Sequence, residues 1–312
     1  MNTRSPDYPL EVFSIGETAL RVLSNAQQGS VLAGVTNAVY MLSEDGSLCW
    51  LIPMGSPMHQ RAMQVTAPIP RLNVGSRYAV VDHSLTTSSG DILDFQHAAI
   101  WVSPKLSSNQ IVSIPRLSET LYIVADRLLA HHKPFGLGDL IMPILQSRDY
   151  QVLASGISQK SVLSKKAWPF VDAILVATAL NDADHIINIG KSLVGFGEGL
   201  TPSGDDFLGG FFFSMQLLYR HYPDALKLPA RTYSDFVLQS KPLTNLISYT
   251  ILKDHMDGYS VEPLHQFANG LLLGESVDQL YLQMEKLISL GHSTGWDLLS
   301  GFMAGMSVTF AQ

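Results

Sequence analysis

Apolar and polar positions alternate in short runs over the first third of the chain and then change to a helical period. "AVYMLSEDGSLCWLIP" holds two apolar runs separated by Ser43-Glu44-Asp45-Gly46, a hairpin signature with a glycine available for positive φ. "SRYAVVDHSLTTSSGDILDF" repeats the pattern with a turn through Ser88-Ser89-Gly90-Asp91, and "HAAIWVSP" adds another strand. Pro53, Pro57, Pro68 and Pro70 punctuate the connections. Residues 1 to about 115 therefore read as an antiparallel β domain, a small barrel or sandwich.

After Pro115 the period lengthens. "LSETLYIVADRLLAHH" sets Leu121, Val124, Ala125, Leu128 and Leu129 at helical spacing, with Ser118 in the N-cap role. "FVDAILVATAL", "DADHIINIGKSL" and "SGDDFLGGFFFSMQLLYRHY" continue as helices, the last with Ser203 as its cap. "SVDQLYLQMEKLISLG" runs from Ser276 as cap to Gly291, a C-cap residue type, and "STGWDLLSGFMAGMSV" follows. Residues 116–312 read as a mainly helical domain. No low-complexity linker intervenes, so the expectation is an α+β chain whose two domains pack together.

A length of 312 residues suits two domains with a sizeable core. The longest apolar stretch, "FLGGFFFSMQLL", is too short to span a bilayer, and "MNTRSPDYPLEV" has no apolar signal region. The cytoplasm is the expected compartment, without membrane attachment. The single cysteine, Cys49, excludes an intrachain disulfide, and its strand setting favours a buried small residue over a nucleophile. A net charge of −7 with no basic cluster argues against nucleic acid as a partner. It leaves room for a small anion, because helix N-termini bind anions without many lysines.

The candidate chemistry lies in a repeated string. "SGDDFLGGF" from Ser203 and "TGWDLLSGF" from Thr294 share the order hydroxyl, Gly, any, Asp, apolar, Leu, small, Gly, Phe, and Gly204 matches Gly295 at an offset of 91 residues. This points to an internal repeat of a helix start. In each copy the hydroxyl suits an N-cap and the aspartate falls in the first turn, where the helix dipole favours negative charge. The small residues, Gly209-Gly210 and Ser300-Gly301, cost helix propensity and predict close approach of another helix. Two such helices crossing at their glycines would bring their N-termini together. The pocket so formed is lined by Thr201, Ser203, Asp205 and Asp206 on one side and His292, Ser293, Thr294 and Asp297 on the other.

Either copy alone reads equally as an ordinary helix cap. The surplus of polar groups around the first, with Gly195, Gly197 and Gly199 before it, favours a ligand loop. Gly197, Gly199, Gly204 and Gly295 would let backbone approach a ligand. His292 is either a proton carrier or a structural hydrogen-bond partner. Asn245, in "KPLTNLIS", reaches the pocket or caps its own helix. Nothing in the spacing requires a metal; Mg²⁺ held by Asp205, Asp206 and Asp297 is the one cofactor these acids would suit. "LGDL" at 137–140 echoes Gly-x-Asp weakly and reads as a helix start.

Gly195 through Asp206, "GFGEGLTPSGDD", with Gly291 through Asp297, "GHSTGWD", resembles a bacterial family that includes the AllH-type subunit of oxamate carbamoyltransferase. The resemblance extends to the order of parts, β-rich then helical. It implies a subunit, working with partner subunits, that converts oxalurate and phosphate to oxamate and carbamoyl phosphate in anaerobic allantoin breakdown. On that reading Gly197–Gly204, Thr201 and Ser203 hold phosphate or a carboxylate, and His292 stabilises charge on the transferred carbonyl. Asp205, Asp206 and Asp297 orient the carbamoyl NH₂ group or a metal. The chain departs from the family where an arginine–threonine pair is expected, having Leu243-Thr244-Asn245, with Lys241 as a substitute cation. The rival reading is a non-catalytic helical scaffold or small-anion-binding subunit; a hydrolase with an Asp-bound metal is a third.

Overall fold

The computed structural model describes residues 9–66, 69, 72–106, 111–146, 157, 160–225, 228–229 and 231–307. Pro68 and Pro70 lie outside them. The chain divides into two compact units, Met1–Pro104 and Lys105–Gln312.

In the first unit, strands β1 (Leu10–Gly16), β2 (Gln28–Val35), β3 (Ala38–Ser43), β4 (Leu48–Pro53), β5 (Ala62–Val65), β6 (Arg77–Val81), β7 (Ser84–Thr87) and β8 (Ile92–Asp94) pair in the order β5-β4-β3-β2-β6-β7-β8-β1, and β1 returns to β5. The ring is therefore a closed eight-stranded barrel. A ninth strand, β9 (Ala99–Trp101), lies along β1. Alternation sets the inside: Tyr78 and Val80 of β6 are buried while Arg77, Ala79 and Val81 are exposed. Val12, Val31, Met41, Leu51, Met63 and Leu85 form the core, joined by Ala19, Val22 and Leu23 of helix α1 (Glu17–Asn25). The turn at Ser43–Gly46 is as expected, with Gly46 at φ 80°. Cys49 is wholly buried and its thiol is pushed up to about 12 by burial, so it is not a nucleophile.

The expectation of an antiparallel domain needs correction: the barrel is mixed. β1 runs parallel to β8 and to β9, and β4 runs parallel to β5. Alternation fixes which side chains face inward but not strand direction. The parallel steps occur where the chain crosses over, through residues 54–61 before β5, instead of turning back on itself.

The second unit is helical. Its helices are α2 (Ile114–His131), α3 (Ile141–Leu145), α4 (Val162–Ala179), α5 (Ala183–Leu193), α6 (Ser203–His221), α7 (Arg231–Ser240), α8 (Leu246–Met256), α9 (Glu262–Leu273), α10 (Val277–Ile288) and α11 (Thr294–Met306). Ser276 caps α10 in a full capping box with Gln279. Ser118 does not cap α2; Ser113 holds that position and Pro115 occupies the first turn, where its missing N–H costs nothing. Gly291 stands beyond the end of α10, whose C-cap is Ser289. Helix α6 is buried almost all round: every residue from Ser203 to Met215 is inside, including Phe207, Phe211, Phe212 and Phe213. No helix of the described residues is long and apolar enough to cross a membrane.

Candidate functional site

The two repeated strings begin helices in the same way. α5 ends at Leu193 and α6 opens at Ser203 with Pro202 as its N-cap, whose carbonyl accepts from the N–H groups of Asp205 (2.9 Å) and Asp206 (3.1 Å). α11 opens at Thr294 with Ser293 as N-cap, whose carbonyl accepts from Asp297 N–H at 2.9 Å. Ser203 and Thr294 thus stand one residue inside their helices and do not cap them, contrary to expectation. A β-carbon on Gly204 would lie 2.0 Å from the carbonyl oxygen of Leu193, and one on Gly295 would lie 1.9 Å from that of Leu287. In both copies the preceding helix rests on the bare glycine, so each is a helix–loop–helix unit.

α6 and α11 cross at their later glycines. A β-carbon on Gly210 would meet Leu298 O at 2.0 Å and Phe302 N at 2.8 Å. A β-carbon on Gly301 would meet Phe207 O at 1.8 Å and Phe211 N at 2.9 Å. Under the 91-residue offset each contact maps onto the other, as a local two-fold through the crossing requires. Thr201 and Thr294 touch across the helix starts, their hydroxyl oxygens 3.3 Å apart.

Asp206 and Asp297 are buried at this junction, at 3% and 0% exposure. Asp297 Oδ1 accepts from Leu137 N–H at 2.6 Å. The Oδ2 of each aspartate is buried without a hydrogen-bond partner among the described residues. Burial and the neighbouring Asp297 push the Asp206 carboxyl well above the usual carboxylate range; the hydroxyls of Thr294 and Thr201 act against that shift, and Asp205 adds to it. Asp297 is pushed up to about 6 by burial, opposed by Leu137 N–H and by the hydroxyls of Ser203 and Ser293. Ser203 and Thr294 occupy equivalent places in the two copies, so each helix sends its first hydroxyl to the other helix's aspartate. Among the described residues no lysine or arginine acts on either acid. Both acids are thus held toward the neutral form at a junction where each keeps one buried oxygen without a hydrogen-bond partner among the described residues.

Asp205 points elsewhere. Its Oδ1 accepts from Gly195 N–H at 2.7 Å, and its Oδ2 accepts from Thr244 Oγ1 at 2.5 Å and Ser248 Oγ at 2.6 Å. Its expected ligand role is thus filled by the protein itself: it ties the glycine-rich loop to the start of α8. Asn245 is the N-cap of α8, accepting from Ser248 N–H at 3.0 Å, and its amide donates to Leu200 O at 2.8 Å. Asp205→Ala strands three donors at once. Urea unfolding is expected to register a loss of about 3 kcal/mol, with Asp205→Asn in between. A loss under about 0.5 kcal/mol would show that the knot carries no weight.

The other expected residues are placed as follows. His292 is exposed and packs on Phe135, ring centroids 5.2 Å apart. Gly197 and Gly199 are exposed at positive φ. The N–H of Gly204 already donates to Phe196 O at 2.8 Å, so it does not serve as an anion donor. Lys241 is exposed in the short turn Lys241–Leu243 before α8. With Asp205 turned away, the three aspartates do not converge, and among the described residues no set of three His, Cys, Asp or Glu side chains could hold a metal ion. The sequence reading missed the segment at Gly136–Leu137. A β-carbon at Gly136 would stand 2.2 Å from Asp297 Oδ1, and Gly138 lies under the ring of Trp296. "LGDL" was the one signal for it. A groove of about 600 Å³ lined by Gln216, Tyr219, Tyr233, Val237 and Lys253 also borders α6. Its α6 residues sit roughly 15–20 Å along the helix from Asp206, so it is a separate feature.

No solved structure matches the chain. Residues 193–306 match the family described as oxamate carbamoyltransferase subunit AllH. That span begins at the end of α5 and closes with α11, taking in both helix starts and their crossing. Residues 193–306 are similar to that family, and over this span the resemblance carried by Gly195–Asp206 and Gly291–Asp297 is borne out.

Proposed function

We propose that this chain is a subunit of a carbamoyltransferase of the oxamate type, working with partner subunits in the cytoplasm on oxalurate and phosphate in allantoin breakdown. The observation that carries the reading is the pair of buried aspartates, 91 residues apart in sequence, each with one buried oxygen that has no hydrogen-bond partner among the described residues. Such oxygens suit the N–H groups of a ureido or carbamoyl unit and repel phosphate and carboxylate. The acids therefore take the carbamoyl end. The anionic parts of the substrates belong at the exposed rim, where Gly197 and Gly199 offer backbone and His292 offers a ring N–H. The reciprocal glycine contacts support an internal duplication as the origin of the site.

A helix-packing scaffold would need the glycines but not two orphaned acid oxygens, whose burial is costly unless a ligand satisfies them. The test is carbamoyl phosphate formation from oxalurate and phosphate by the chain together with its co-purified partners. Wild-type turnover is expected, and Asp206→Ala or Asp297→Ala is expected to lose roughly 100-fold or more. Full activity in both variants would move the pocket elsewhere. Absence of turnover in every combination would remove the assignment.

A further inference from the structure

We propose that Asp206 and Asp297 act as one acid–base unit, passing a single proton from the attacking phosphate to the leaving amide nitrogen of a ureido substrate. The inference rests on the reading of this junction as a carbamoyl-transfer site. Both side chains are more than nine-tenths buried at the crossing of α6 and α11, each has an oxygen without a hydrogen-bond partner among the described residues, and the charge of Asp297 acts on Asp206. Their surroundings differ in one respect that assigns the roles. Asp297 is held by the Leu137 N–H at 2.6 Å, a donor that favours its charged form and makes it the base. Asp206, which burial and then the charge of Asp297 push toward the neutral form, is the acid.

The bonds balance without a further reactant. A phosphate oxygen forms a C–O bond to the terminal carbamoyl carbon while its O–H proton goes to Asp297. The C–N bond to the inner nitrogen breaks, its electron pair stays on nitrogen, and the proton of Asp206 completes the amide. The pair ends with one proton, now on the opposite carboxyl, and transfer within the pair resets it. In the reverse direction the roles exchange, as a shared proton allows. The other titratable groups nearby are occupied or remote from the open oxygens. Asp205 is bonded to Gly195, Thr244 and Ser248, Asp139 accepts from Ser161 N–H, His255 lies against Gly209, and His292 is exposed on Phe135.

The test uses the near-isosteric variants Asp206→Asn and Asp297→Asn in two measurements. Infrared difference spectra of the chain at pH 7 are expected to show a protonated-carboxyl stretch that Asp206→Asn removes. A spectrum with no protonated carboxyl overturns the proposal whatever the substrate. With partner subunits present, each variant is expected to lower kcat for oxalurate by roughly 100-fold or more. KM should shift far less, and the double variant should be little worse than either single one. Asp206→Asn should lose the alkaline limb of the kcat–pH profile and Asp297→Asn the acid limb. Variants that raise KM and keep kcat would leave the carbamoyl-binding reading intact and overturn the relay. A wild-type complex that does not turn over oxalurate would overturn both.

Discussion

Gly301→Ala is expected to destabilise the helical unit by about 4 kcal/mol or more. A methyl group there would stand 1.8 Å from the carbonyl oxygen of Phe207 and 2.7 Å from its carbon, atoms of backbone that no rotamer change can move aside. Gly210→Ala meets the mirror-image obstacle at Leu298 O, 2.0 Å away. Only separation of α6 from α11 would relieve either clash, and both helices are buried over most of their length. The sign of the effect is diagnostic. In an unobstructed helix, glycine to alanine stabilises by about 1 kcal/mol, so urea unfolding of Gly301→Ala at or above the wild-type midpoint would refute the crossing. Gly209→Ala provides a graded comparison. Its β-carbon would meet the ring of His255 at 2.5 Å, and a side chain can shift, so a smaller loss is expected.

The second large effect is a dependence of stability on pH that Asp297→Asn should reduce. Asp297 stands at about 6 in the folded chain against an ordinary 3.8. Because the folded value is raised, the folded state is favoured while the carboxyl is protonated, below about pH 4, and loses that advantage as pH rises through 6. The wild type should fall by about 2 kcal/mol relative to Asp297→Asn between pH 4 and pH 7. Asparagine keeps an oxygen for Leu137 N–H, so the comparison removes the Asp297 charge, with its effect on Asp206, and leaves that hydrogen bond in place. Urea midpoints of both proteins at the two pH values provide the measurement. Parallel curves would mean that water reaches Asp297 and that the acid is not sequestered.

The crossing and the meeting of the two aspartates were legible because close helix approach requires small residues. Gly210 and Gly301 in otherwise apolar helices had few other reasons to be there. Three things were not legible. Alternation does not record strand direction, so the parallel pairing of β1 with β8 and of β4 with β5 was missed. A hydroxyl before glycine looks the same at the N-cap and one residue further in; only the fold shows that Pro202 and Ser293 take the cap positions, leaving Ser203 and Thr294 to reach across. Two adjacent aspartates look alike in a string. Asp205 and Asp206 point a helical step apart, roughly 100° around the axis, so one meets α8 and the other α11. For the same reason Leu137, brought in from 160 residues away, left no mark except a weak echo of glycine and aspartate.

The two-fold relation between the helices stops at one position. Where the first copy has Asp205, the second has Trp296: the one is bonded to Thr244 and Ser248 of the α8 start, the other stacks over Gly138. The matched acids therefore sit between unlike neighbours, a hydroxyl-bearing helix start on one side and an indole on the other. Any molecule bound between them would have different energies in its two senses, set by the residues around the acids and not by the acids.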